Sequence, residues 1–155
     1  MQNDNSSEFL KSINIIYFAL LAGQIMFLMV AFFVAKDVEI TKQVKEMNNL
    51  FQLIVPVFAI GGIAMGYLIS KSLLKKIDKK ASLDEKLNKY RAALLVKFAL
   101  HEGPVIFALV VYLISKNNLY LGIALVTILL FLFIRPGRDA IIQDLELNSQ
   151  ESRNL

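Results

Sequence analysis

The chain has 155 residues, 56% of them hydrophobic and only 19% charged, with a formal net charge of +4, no cysteine and a single histidine. Soluble domains average about 25% charged residues, and here the apolar residues fall in long blocks, which points away from a soluble globular enzyme. Without cysteine there are no disulfides, thiolate nucleophiles or sulfur-linked lipids, and one histidine excludes a bis-histidine haem within one chain.

Four apolar blocks organise the chain. Residues 13–35 and 50–70 are uncharged, 92–115 carries only Lys97, His101 and Glu102, and 117–134 is again uncharged. Each is near the roughly 20 residues a helix needs to cross a bilayer. The expected fold class is therefore an all-α, polytopic membrane protein, with residues 1–155 forming a single four-helix transmembrane domain. The leader before Ile13 is not basic, and the block that follows exceeds the usual signal-peptide core, so the first block reads as a retained span.

Lys and Arg counts give the orientation. The N-terminus, the loop 71–91 and the C-terminal tail together hold twelve, against four at Lys36, Lys42, Lys45 and Lys116. Both termini and the central loop are thus expected in the cytoplasm, with the protein a multi-pass component of a bacterial inner membrane. The loop is predicted to prolong the second helix and then restart at a capping box, Ser82-Leu83-Asp84-Glu85. Lys75, Lys76, Lys79, Lys80 and Arg91 are the candidates for contact with lipid headgroups or a partner, although a general positive-inside bias explains most of this charge. The charges border membrane spans and no aromatic platform accompanies them, so nucleic acid is not an expected partner. After Pro136 and Gly137, Ile141, Ile142 and Leu145 recur at helical spacing, predicting a short interfacial helix over about 139–147.

The residue of most interest is Glu102. Ten residues into its block, it lies about 15 Å deep by helical rise, near the middle of a hydrocarbon core of about 30 Å. An acid there costs on the order of 2.5–3.5 kcal/mol on insertion scales, so it normally faces protein or water. Gln24 lies at a similar depth in the first block. Lys97 and His101 share one face of the third block, while Glu102 is about 140° round from Lys97, too far for a direct pair on one helix. Lys97 is expected to reach back to the cytoplasmic edge. In the second block, Gly61, Gly62 and Gly66 offer a face for close helix approach and Pro56 a bend. A glycine face opposite the carboxylate would help to bury Glu102; packing alone explains the same glycines. Glu102, Gln24 and His101 are the candidate ion-binding residues. The competing reading makes Glu102 a structural carboxyl hydrogen-bonded to Gln24 or to a backbone carbonyl, and His101 a cap on a neighbouring helix.

The runs AIGGIAMGYLISKSL and KYRAALLVKFALHEGPVIFALVVYL resemble the hairpin of the proteolipid c-subunit of rotary F-type ATP synthases. That resemblance implies a glycine helix, a cytoplasmic loop and a returning helix whose mid-membrane carboxylate, here Glu102, takes the transported ion. The chain departs from the pattern in lacking the Arg-Gln-Pro loop, in placing Lys97 where a small residue is usual and in adding two flanking spans. As a whole it also resembles the small uncharacterised four-span proteins of bacterial membranes. Two functions follow as expectations: a subunit handling protons or small cations through Glu102, or a non-catalytic accessory subunit. The expected partners are the lipid bilayer and either further copies of the chain or a larger membrane complex. No nucleophile–base pair or metal-ligand cluster can be assembled, so neither an enzyme nor a cofactor nor a bound metal is expected.

Overall fold

The computed structural model describes residues 2–153 and residue 155, with the backbone alone for residues 2–7. The described residues form α1 (Gln2–Val34), α2 (Lys42–Lys75), α3 (Leu83–Ser115), α4 (Asn118–Leu132), α5 (Arg138–Asp144) and α6 (Ser149–Arg153), with no strand among them. The helix starts are those that local chemistry selects. Extended Thr41 accepts the Val44 N–H at 3.4 Å, and Ser82 accepts the Glu85 N–H at 3.3 Å, as the capping box predicts. Asp84 and Glu85 in the first turn of α3 complement its positive end. Between α3 and α4 only two residues turn the chain. Lys116 adopts the left-handed conformation, φ 54°, and donates its N–H to the Tyr112 carbonyl at 2.7 Å. Asn117 then caps α4 through the Leu119 N–H at 3.0 Å.

Three of the helices, α1, α2 and α3, are long and apolar enough to cross a membrane. The fourth is shorter than its apolar block implies. α4 has 15 residues, about 22 Å by helical rise, against a core of about 30 Å. The Asn117 cap takes up one end of the block, and the turn in which Phe133 and Ile134 donate to Leu130 and Phe131 carbonyls takes up the other.

α3 is the central helix, packed by α1, α2 and α4. Of its most apolar stretch 44% is buried, against 17% for α1 and 22% for α2. Its polar residues are therefore the ones most constrained by neighbours. One aromatic layer joins three helices: Tyr17 stacks on Phe131 with centroids 5.1 Å apart, and Phe98 lies 5.9 Å from Tyr17 and 5.6 Å from Phe131. The Tyr17 hydroxyl donates to the Leu132 carbonyl at 3.3 Å. Seven residues on along α1 and α3, and seven back along α4, come Gln24, Val105 and Ala124, all buried. Spacing by sevens keeps one seam facing inward, so these three form the next layer, about 10 Å beyond the aromatic one.

The start of α1, the end of α2, the start of α3 and the C-terminal segment share one end of the bundle, where Phe9, Ile13, Leu87, Tyr90, Ile141, Leu145 and Leu147 form a common core. This is the basic end, since the intervening segment 71–91 is rich in lysine. The segment expected to be an interfacial helix over 139–147 is the shorter α5, and Ile141 on it is fully buried. Its apolar side is turned onto the bundle's own end. The Pro136–Gly137 turn doubles the chain back beneath helices that leave Phe9, Leu87 and Tyr90 to be covered there.

Candidate functional site

Lys97, His101 and Glu102 all lie on the central helix. Glu102 is half-buried, midway along the apolar stretch of α3. Ion pairs among the described residues join Lys79 to Glu146, Lys86 to Glu151 and Lys89 to Glu85, and none reaches Glu102. Its direction on the helix is fixed by Arg91. Eleven residues separate the two, close to three turns, so they share a stripe to within about 20° and lie roughly 16 Å apart along the axis. Arg91 stacks on the ring of Phe9, 5.1 Å from its centroid. At Arg91 that stripe borders α1, and on either side of Glu102 it carries the exposed Leu95 and Ile106.

The glycine face of α2 does not meet this stripe. A Cβ at Gly62 would fall 2.5 Å from Pro104 Cγ and 2.6 Å from the Leu100 carbonyl oxygen; one at Gly66 would touch Leu100, His101 and the Lys97 carbonyl. These residues lie on the His101 side of α3, and His101 and Glu102 diverge by about 100°. The glycines thus bury histidine rather than the carboxylate. Gly61, beside them in sequence, meets nothing within 4 Å and opens onto a groove with Val57, Phe58 and Met65. Pro56 lines a second groove, against Gly122 and Thr127 of α4.

His101 is buried at 3% exposure, its Nδ1 3.1 Å from the Lys97 carbonyl oxygen and its ring 6.3 Å from that of Phe131. It caps the preceding turn of its own helix. It forms no dyad with Glu102. Gln24 is 1% exposed, and both its amide oxygen and its amide nitrogen lack a partner. It therefore does not hydrogen-bond Glu102, and the structural-carboxyl arrangement through Gln24 is not formed. An unpaired buried amide is expensive, on the order of 1–3 kcal/mol.

The basic candidates lie apart from these residues. Lys75 closes α2, Lys76 is its C-cap, and both are exposed, as is Lys80. Lys79 pairs with Glu146. More consequential is Lys86, which is buried at 3% exposure and donates to Glu151 at 2.6 Å. The hydrogen bond from Lys86 holds the Glu151 carboxyl below the ordinary carboxylate range, against a smaller opposing effect of burial. Beside it, Tyr90 donates to Asp144 at 3.3 Å. Burial, and then the neighbouring Asp144 charge, push the Tyr90 phenol well above its usual value, so it remains a neutral donor. Arg138 donates to the Ser152 carbonyl at 2.6 Å, closing the tail on itself. Sequence reading missed this fastening because its members are spread over Lys86, Tyr90, Asp144 and Glu151. It also passed over Pro104, whose signal was available: a proline inside a helix leaves the carbonyl four residues back without its donor.

Among the described residues no three His, Asp or Glu side chains gather as metal ligands. Comparison of the chain with family models, curated proteins and solved structures gave no match.

Proposed function

We propose that the chain is a four-span protein of the bacterial inner membrane, with both termini cytoplasmic, that handles protons or small cations at Glu102. One observation carries this reading: a carboxylate halfway along an apolar helix, with no ion-pair partner among the described residues. A group so expensive to place in a bilayer is rarely kept without a use. Gln24, buried on α1 with neither amide atom paired, adds an oxygen on which a hydrated proton or a small cation would find an acceptor. The orientation rests on the twelve-to-four distribution of Lys and Arg. The test is proton flux in reconstituted vesicles under an imposed pH gradient. The wild-type protein should conduct and Glu102→Gln should not; equal leak from the two rejects the reading.

An accessory role, in which the chain assembles with copies of itself or with other membrane proteins, is supported by Gly61 and Gly122, which leave open space along grooves on α2 and α4. This reading predicts that Glu102→Gln is silent in flux, while Gly61→Leu or Gly122→Leu dissociates a complex that survives mild detergent on native gels.

A further inference from the structure

At the basic end, α1 and α3 border an open cleft of about 440 Å³ lined by Glu8, Phe9, Ser12, Asp84, Asn88 and Arg91, together with the buried Leu87. Its chemistry is unusual. Arg91 sits over the Phe9 ring, its Nε is buried without a partner, and it forms no ion pair among the described residues although two carboxylates line the same cleft. With Nε covered, the two terminal nitrogens are the donors left for a planar or tetrahedral oxyanion, which a guanidinium binds in a fork. Ser12 and Asn88 add a hydroxyl and an amide beside it.

Charge selects among the oxyanions. Among the described residues, one guanidinium and two carboxylates make the lining net negative, so an anion with no positive group of its own would meet repulsion from Glu8 and Asp84. A simple cation would meet it from Arg91. A ligand carrying both signs, held a short distance apart, satisfies all three groups. Depth selects further. Ser12 and Arg91 immediately precede the apolar runs that begin at Ile13 and Ala92. Glu8 lies four residues outward of Ser12, about 6 Å, and Asp84 seven residues outward of Arg91, about 10 Å. The positive group of the protein is therefore at phosphate level and its negative groups face the water beyond.

We propose that this cleft binds the phosphoethanolamine headgroup of a membrane phospholipid, with the phosphate on Arg91, Ser12 and Asn88 and the ammonium between Glu8 and Asp84. The acyl chains then run along the exposed apolar side chains Ile15 and Leu95 on the neighbouring faces of α1 and α3. This site rests on the bilayer placement argued above and not on Glu102.

The test is native mass spectrometry of the full chain in mild detergent, mixed with phosphatidylethanolamine, phosphatidylglycerol or phosphatidylcholine of identical acyl chains. One phosphatidylethanolamine should be retained at collision energies that strip the other two, since the glycerol headgroup lacks the ammonium and the choline headgroup lacks its N–H donors. Arg91→Gln removes the partner of the phosphate that all three lipids share and should weaken retention of each. Asp84→Asn and Asn88→Ala, both at exposed positions on α3, keep the fold; the first should erase the preference among headgroups and the second should weaken retention severalfold. Free glycerophosphoethanolamine at matching concentration should fail to displace the lipid. Equal retention of the three lipids, tighter binding of phosphatidylglycerol, an unchanged preference in Asp84→Asn, or displacement by the free headgroup would each overturn the proposal. Proton flux through Asp84→Asn, measured in parallel, should remain at the wild-type level, so a failed lipid preference with Glu102-dependent flux intact sinks this inference alone.

Discussion

Gly62 sits on Pro104. The contact is possible only because glycine lacks a Cβ, which would lie 2.5 Å from the proline ring and 2.6 Å from the Leu100 carbonyl. That carbonyl is the one four residues before Pro104, left without an intrahelical donor by the missing proline N–H. The α2 backbone comes up against the place where α3 is least self-sufficient, and the two irregularities cover one another.

Gly62→Ala should therefore destabilise the bundle by about 1–3 kcal/mol, the usual penalty for overfilling a tight contact. Gly61→Ala, where a Cβ meets nothing within 4 Å, should be neutral or slightly stabilising through better helix propensity. Reversible unfolding in mixed detergent micelles compares the two, and equal losses would show that the close approach to Pro104 is not what holds α2 on α3.

Gln24→Leu should raise stability. The amide is buried with neither atom paired, and an apolar side chain of similar volume removes a desolvation penalty on the order of 1–3 kcal/mol. Thermal melts monitored by circular dichroism give the sign directly. On the proton-handling reading the same variant should lose flux while gaining stability. A lowered melting temperature would mean that the amide has a partner in the bilayer, such as bound water.

Docking of the C-terminal segment should be acid-sensitive. The folded Glu151 carboxyl titrates below its free value because Lys86 donates to it. A depressed folded value means that the contribution is fully present above the unfolded carboxylate range, near pH 4.3 or so, and is lost as pH falls through the folded value. Hydrogen exchange across residues 138–153 should accordingly rise on acidification below about pH 4. Glu151→Gln should show raised exchange already at neutral pH, and a flat profile in the native chain would remove the pair from the account.

Tyr90→Phe deletes the hydroxyl that donates to Asp144 at 3.3 Å from a residue only 1% exposed. The expected loss is about 1 kcal/mol, confined to the basic end. Proteolysis of the tail should quicken, while the exchange of amides around Ala124 and Val105 stays as it was.

Much of this architecture was legible in the sequence, and for reasons that can be named. Blocks of apolar residues mark α1, α2 and α3 because nothing else buries 20 consecutive apolar side chains so cheaply, and Ser82 announces α3 through a cap that needs only local geometry. α4 was harder to read, since a block of apolar letters does not say how many residues its turns consume. The depth of Glu102 followed from counting, but which neighbour it faces did not. The glycine step looked like a partner for it and instead serves His101, because azimuth on α3 depends on where α2 docks. The fastening of Lys86 to Glu151 spans 65 residues, and no periodicity encodes a contact of that reach.

The two-residue link at Lys116 and Asn117 has a consequence for biogenesis. On the four-span reading, a link this short favours entry of α3 and α4 into lipid together, as a hairpin, over insertion as separate stop and start signals. The shorter, uncharged arm would then ferry the one bearing Lys97, His101 and Glu102 past the energetic barrier to insertion. Lengthening that link with a flexible spacer should leave the finished fold intact while lowering the yield of correctly inserted chains.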